Sequence, residues 1–558
     1  MAFAPPAAPS INDRKDRSIR LWGERGQKAL EQGHVICLNA SVVATEVLKN
    51  LVLPGVGKFT IVDNKRVSEK DLGNNFFLDI ECVGKLRAES IKRLLVEMNP
   101  EVVGNFVDED PVSMIEDNSP LLLPSDATAV IATELPEASL VTLASLLWAK
   151  NIPLFIGRAY GMVGYWRNIL PEVSVIESRP DFSKENFRLS DPFPEMSAFA
   201  AQFDLDSVTH PHIANTEKQE APRRWVDGAG VECVPKAHSH VPCFVILIKA
   251  MEAWKAAHGG LAPKTSAEKD AFKRTLDDMQ LSPALDEENF CEAKSQARHV
   301  LAPFEVPSEV SSLFRDDKAS HDSTCDDAFW ILVRGLKMFV EAEGAGRLPL
   351  SGSLPDMHSD TKSYVELQTL YKNKAAAECA IVLAHVRKVL QQLGKPIDHV
   401  TPEDVALVCR NATNLRLVRT RSIEEEYTKP KAEEWSWNLD NREENPHHLY
   451  VLLRAADRFR THFGAFPGSS EASVAELAKY KEVVSTVCSE MGISVSSLGD
   501  EMMQEMVRYG GAELHTIAAV IGGVGAQEVT KVLMQQFVPM NGTFLFNGIS
   551  GKNGMAQF

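Results

Sequence analysis

Glycine is missing from the place where a nucleotide binder needs it most. Residues 34–54, HVICLNASVVATEVLKNLVLP, read as a buried strand from His34 to Leu38, a turn, and a helix with Val43, Val47, Leu48 and Leu51 at helical spacing. A Gly-x-Gly-x-x-Gly turn at that point would give a tight bend, a close backbone approach to a phosphate, and room for helix–strand packing. Here the three positions carry Asn39, Ser41 and Ala44, and Val42 sets a branched side chain at the helix N-terminus. Side chains fill the volume that phosphates need, so the attraction of a helix N-terminus for anions is withdrawn. A kept scaffold with a lost ligand site predicts a subunit that supports the chemistry of another chain.

Other absences narrow the class. No Cys-x-x-Cys occurs among the nine scattered cysteines, which points to free thiols in a reducing compartment. Basic residues are outnumbered, 59 to 76, for a formal charge of −17, and no basic stripe is visible; nucleic acid is a poor candidate partner. No apolar run approaches the ~20 residues of a membrane span. The opening MAFAPPAAPS carries three prolines and no basic segment, so residues 1–14 are expected to be a flexible tail and no signal peptide. A soluble protein of the cytoplasm, and of the nucleus as a second compartment, is the expectation. No internal repeat or coiled-coil run is present.

What is there, over the first 165 or so residues, is an alternation of strand and helix signals. Lys58–Asp63 reads as a strand ending in an acid, Gly84–Met98 as a helix, Ala127–Ala132 and Pro153–Gly157 as buried strands, and Ala138–Ala149 as the helix between them. This order predicts a parallel α/β sheet, Rossmann-like, over residues 15–170. From 171 to about 500 helical periodicity dominates, with a capping box at Thr265–Glu268 and Pro402 in the first turn after Thr401. Within it, the polar stretch 206–236 reads as a flexible loop. Residues 501–558 supply a closing helix, His515–Met534, and a hairpin signalled by Asn541-Gly542.

These segments together resemble the ThiF-type adenylating family, which includes the ubiquitin-activating enzymes. The resemblance rests on Asp16-Arg17-Ser18-Ile19-Arg20-Leu21-Trp22-Gly23 ahead of the first strand, on Leu48-Lys49-Asn50-Leu51 followed by Gly55-Val56-Gly57, and on the closing His515–Val529. The long helical segment, with Gly55–Leu78, Gly161–Tyr165, Leu348–Met357 and Arg508–Gln527, is similar to the regulatory subunits of heterodimeric neddylation-activating enzymes. Relative to active members, the resemblance implies three losses. The glycine turn is gone. The phosphate-binding arginine of an Asn-Arg-Gln-Phe run is replaced within Gly73-Asn74-Asn75-Phe76, and asparagine cannot supply the bidentate fork. The magnesium-binding aspartate after the fourth strand is absent from Ala132-Thr133-Glu134-Leu135-Pro136. Lys85 is retained without its companions.

The implied reading is a pseudo-adenylation domain interrupted by a large helical insertion. The chain itself is expected to bind no cofactor; ATP and magnesium belong to a catalytic partner subunit, which adenylates the ubiquitin-like neddylation modifier and carries it as a thioester toward a conjugating enzyme. In such dimers Arg17 is implied to reach the partner's nucleotide site and stabilise phosphate charge in trans. Rival readings are a homodimeric sulfur-carrier activator, which needs the glycines and arginine, a sumoylation-type regulatory subunit, whose insertion is much shorter, and a non-enzymatic adaptor. An NAD-linked oxidoreductase would use Asp63 on a ribose hydroxyl; without glycines upstream, Asp63 reads as a turn and capping residue.

Two further groupings of residues are set aside. Cys233, His238, His240 and Cys243 match no standard zinc spacing. For a thioester nucleophile, Cys325 lies beside Asp326 and Asp327, which disfavour a thiolate, while Cys37 and Cys379 fall on buried-looking patterns.

Overall fold

The apolar run of the first strand is buried on both faces because the sheet it enters is covered on both faces. The structure, a computed structural model, describes residues 11–180, 185–205, 225–226, 232–233, 238–280, 287–301, 304–431, 446–469 and 474–557. It divides into two compact units, residues 1–178 with 417–558, and residues 179–416.

The first unit is built on an eight-stranded sheet: β1 (His34–Leu38), β2 (Lys58–Val62), β3 (Val103–Val107), β4 (Ala129–Thr133), β5 (Leu154–Tyr160), β6 (Val163–Ile169), β7 (Thr543–Asn547) and β8 (Lys552–Ala556). Their order across the sheet is β8-β7-β6-β5-β4-β1-β2-β3. The five strands from β3 to β5 are parallel, with His34 opposite Lys58 and Val35 opposite Ala129; β6, β7 and β8 are antiparallel additions. The sheet is thus mostly parallel, with an antiparallel third that the βα rhythm alone did not reveal. The hairpin exists, but its turn spans residues 548–551. Asn541-Gly542 instead leads into β7, where the Gly542 carbonyl accepts from the Asn168 amide.

Alternate residues of β1 feed two cores. Val35 and Cys37 face one made with α1 (Ile11–Gln32), α2 (Val42–Val52), α3 (Arg87–Met98) and α8 (His515–Met534). Ile36 and Leu38 face the other, made with α4 (Glu137–Ala149), α5 (His448–Phe463), α6 (Val474–Met491) and α7 (Asp500–Tyr509). Residues 417–500 were expected inside the insertion; α5 and α6 instead pack on the sheet, because Leu449, Leu452, Val484 and Val487 complete the core over Ile36 and Ile156. The helix α1 starts at Ile11, within the expected tail, where the N-terminal prolines have ended; it breaks at Gly23, whose φ is 74°.

By length and composition α8 could cross a membrane, yet Ile517, Ile521, Val529 and Val532 are buried in the core, the setting of an interior helix. Its glycines let it sit close. A Cβ at Gly522 would stand 2.5 Å from the Glu46 Cβ, and one at Gly525 would stand 2.4 Å from the Trp166 ring. The second unit is mainly helical, around Phe187, Phe244, Phe272, Phe290 and Tyr371, with a buried Arg188–Glu378 ion pair at 2.6 Å. Its capping boxes at Thr265 and Thr401 start helices Ser266–Asp278 and Pro402–Arg410 as expected. The 206–236 loop lies outside the described residues apart from the paired segments Trp225–Val226 and Glu232–Cys233.

A candidate nucleotide cradle filled by its own side chains

In an open parallel sheet the ligand crevice lies beyond the carboxyl ends of the strands, where the order reverses. Here that point is the end of β1, between β2 and β4, and three residues step off those strands into it: Asn39 after β1, Asp63 after β2 and Glu134 after β4.

The turn that should hold phosphate is tied to its surroundings. Asn39 adopts φ 65°, a conformation asparagine tolerates, and its side-chain amide donates to the Thr133 carbonyl at 2.8 Å. Ser41 caps α2, its hydroxyl accepting from the Ala44 amide at 3.1 Å. Ala44 and Val42 are buried. The Val42 amide, an orphan donor of the first turn, is taken by Glu513, whose Oε2 accepts it at 2.7 Å. A carboxyl group from the segment before α8 therefore sits where a phosphate oxygen would.

Asp63 is fully buried, and its ribose-binding and capping readings are both incomplete. Its Oδ1 accepts from the Lys65 amide at 2.9 Å, a turn contact, and its Oδ2 accepts from the Ala40 amide at 2.9 Å. It is also ion-paired with Arg87 at 2.6 Å, and Arg87 lies 3.6 Å from Asp71 and 4.0 Å from Glu134. Glu134, at φ 51°, meets Lys65 at 3.4 Å, while Arg460 of α5 donates to its carbonyl. Arg158 pairs with Asp457 at 2.7 Å. The Asn74 side-chain amide donates to the Glu513 carbonyl at 2.9 Å. Lys85 is exposed.

The electrostatics follow from this crowding. Burial would raise the Glu134 carboxyl, but Lys65, Arg87, Arg158 and Arg460 outweigh it and hold Glu134 well below the usual range. Burial first, then the neighbouring charge of Glu134, pushes Glu513 up to about 8 against the Val42 amide that favours its ionised form. Burial likewise lifts Asp457 to about 6, opposed by Arg158. The crevice at the strand ends thus holds an internal network of acids and guanidiniums.

Arg17 lies elsewhere, exposed on α1. Lys15 ties the arm down on its N-terminal side, and an exposed pair runs within it. Lys15 meets Glu31 at 2.8 Å and Glu101 at 3.0 Å, and Arg20 meets Asp16 at 2.9 Å. His238 Nδ1 donates to Glu287 Oε1 at 2.8 Å in the second unit, Cys243 is buried, and the Cys233 side chain lies outside the described residues. Cys37 is buried and its thiol pushed up by burial. Cys325 is half-buried, with the Arg334 guanidinium spent on the carbonyls of Ser323 and Cys325. Cys379, on the long helix Thr361–Gln392, is half-buried where a buried position was expected, and it meets the buried Cys409 thiol.

Sequence reasoning missed Glu513, Arg87, Arg158, Arg460 and Asp457. Each comes from a distant element, and a buried charge whose partner is far along the chain leaves no local pattern.

Comparison with known proteins agrees over the whole length. The ThiF family model matches residues 14–556. The NEDD8-activating enzyme E1 regulatory subunit of Xenopus laevis is 40% identical, covering 97% of this chain and 97% of its own length. The subunit of that name from Gallus gallus is 40% identical over 100% of both chains, and that from Danio rerio is 37% identical over 98% of this chain and 99% of its own. A filled cradle on an intact sheet and likeness along the entire chain lead to one assignment: the chain belongs to the ThiF family, among the NEDD8-activating enzyme E1 regulatory subunits.

Proposed function

We propose that this chain is the regulatory half of a heterodimeric activating enzyme for the ubiquitin-like neddylation modifier. It supports adenylation and thioester formation that a catalytic partner subunit carries out. ATP and magnesium bind on the partner, and the modifier and the conjugating enzyme meet the assembled complex in the cytoplasm and nucleus. The observation that carries this reading is the Glu513 carboxyl on the Val42 amide, inside a cradle already crossed by the Asp63–Arg87 pair. A phosphate arriving there would have to break both contacts and desolvate an existing network. What this chain offers a partner is the exposed arm around Arg17, tied at its base by the Lys15 ion pairs to Glu31 and Glu101.

ATP–pyrophosphate exchange tests the reading, run with this chain alone, with the catalytic subunit alone, and with both, in the presence of the modifier. Exchange by the pair and none by this chain is the expected result. Calorimetric binding of ATP to the isolated chain at micromolar affinity would overturn it.

A further inference from the structure

We propose that Cys379 and Cys409 form a peroxide-responsive dithiol: a hydroperoxide oxidises Cys379, and Cys409 then closes a disulfide between two helices of the second unit. Three observations carry this.

The first is placement. Cys379 lies on the helix Thr361–Gln392 and Cys409 in the last turn of Pro402–Arg410, and the two thiols are hydrogen-bonded to each other. Both helices are pinned where they carry sulfur. Glu378, the residue before Cys379, meets Arg188 at 2.6 Å and accepts from the Leu350 amide at 3.0 Å. The shorter helix starts in the Thr401–Asp404 capping box and buries Val405, Val408 and Cys409. The second is unequal access. Cys379 is half-buried and Cys409 buried, so a solute in water reaches the first thiol before the second. A buried thiol among apolar neighbours is inert; this one touches a thiol that an oxidant can meet. The third is the division of charge. The Cys409 thiol donates to Cys379 and favours its ionised form, which outweighs partial burial and holds Cys379 below the usual thiol range. That same hydrogen bond pushes Cys409 up, and burial and the charges of Cys379 and Glu378 add to it. The accessible sulfur is the nucleophile, and the buried one keeps its proton.

The Cys379 thiolate attacks one oxygen of hydrogen peroxide. An S–O bond forms, the O–O bond breaks, and the departing hydroxide takes up the proton that Cys379 released, giving a sulfenic acid and one water. The Cys409 sulfur then attacks the Cys379 sulfur. The S–S bond forms, the S–O bond breaks, and hydroxide leaves with the Cys409 proton as a second water. The two sulfurs are oxidised by two electrons in all, and peroxide is reduced. Disulfide sulfurs stand ~2.05 Å apart, closer than a hydrogen-bonded pair, so the two helices must draw together. In a reducing compartment the bond lasts only until other thiols reverse it.

The test treats the full chain with hydrogen peroxide at concentrations that oxidise the exposed Cys291, blocks the remaining thiols with iodoacetamide, and maps disulfides by peptide mass spectrometry. Wild type is expected to give the Cys379–Cys409 link as its main disulfide, reversed by dithiothreitol. Cys409→Ser should trap the intermediate, so that dimedone labels Cys379 far more than in wild type, and in Cys379→Ser the Cys409 thiol should stay reduced. Alkylation of Cys379 by iodoacetamide, followed against pH, should inflect below the ~8.5 of an unperturbed thiol, and Cys409→Ala should slow it at pH 7 by on the order of tenfold. The disulfide map and the pH profile of the wild type judge the proposal even where a variant does not fold. Peroxide that leaves both wild-type thiols reduced, or links either one preferentially to another cysteine, overturns it. So does a wild-type Cys379 that titrates as an ordinary thiol, or one whose alkylation is unchanged by Cys409→Ala.

Discussion

Arg87→Met should damage the sheet unit far more than removal of its partner, Asp63→Asn. Asp63 is fully buried, and among the described residues Arg87 supplies its guanidinium, at 2.6 Å. Deleting the cation leaves a buried carboxylate with two amide donors, Ala40 and Lys65, to offset its lost solvation. An unpaired buried charge costs about 3–5 kcal/mol, and the two retained hydrogen bonds place this case near the lower end, at ~3 kcal/mol. In the converse variant Arg87 still has Asp71 at 3.6 Å and Glu134 at 4.0 Å, so about 1–2 kcal/mol is expected. The double variant should recover part of the sum, with a coupling of about 1–3 kcal/mol. The chain has two compact units, so the assay must read one of them: hydrogen exchange at the β1 and β2 amides reports the sheet unit, and urea unfolding supports it. If Arg87→Met costs under about 1 kcal/mol, or if the two single effects simply add, the pair is not what holds the filled cradle together.

Three other outcomes follow from the geometry. Glu513 is raised from 4.5 to about 8, so its favourable contribution is complete below 4.5 and is lost as pH rises through about 8; a stability profile of the wild type should fall by up to about 1.4 kcal/mol per pH unit across that window, and Glu513→Gln should flatten it. An unchanged slope in the variant refutes the assignment. Arg17→Ala should leave the heterodimer assembled and slow ATP–pyrophosphate exchange on the order of tenfold to a hundredfold, less than the loss of a trans arginine in phosphoryl transfer; Arg17→Lys should restore part, Arg20→Ala should matter less, and wild-type rates for Arg17→Ala would end the trans-site idea. Gly525→Ala drives a Cβ to 2.4 Å from the Trp166 ring and should cost about 1–3 kcal/mol, whereas at Gly523 nothing lies within 4 Å and alanine should be neutral or stabilising by up to ~1 kcal/mol. Equal melting temperatures for the two variants would show that α8 does not depend on this close approach.

Four of the five parallel strands were legible because β1, β2, β4 and β5 are short, buried apolar runs; β3, Val103–Val107 at the sheet edge with no residue buried, gave no such signal. The losses in the cradle were legible too, since Asn39, Ser41, Val42 and Ala44 occupy fixed offsets from a strand end. The antiparallel third was hidden. Thr543–Asn547 pairs with Val163–Ile169 across about two thirds of the chain, and nothing in either segment names the other. The boundary of the insertion was misplaced for a related reason: the helices of 448–509 have the same periodicity as those of the second unit, and only their partners differ. The occupants of the cradle were hidden most deeply. Glu513 reads as an ordinary acid before a helix, and Arg87 as an ordinary base at the start of one, until the sheet brings them together.

The split of the sheet unit has a consequence in time. On a ribosome adding roughly 5–20 residues per second, the interval between Arg167 and its partner Thr543 is roughly 20–75 s. Through that interval β6 presents an unpaired edge, the Val42 amide has no carboxyl, and one core lacks α8 while the other lacks α5 and α6. Closing so distant a pairing is slow even after release, because its loop entropy must be overcome before any contact rewards it. A nascent chain of this design is an open-edged, sticky intermediate for most of its synthesis, and chains cut short of β7 should be found with chaperones or in aggregates.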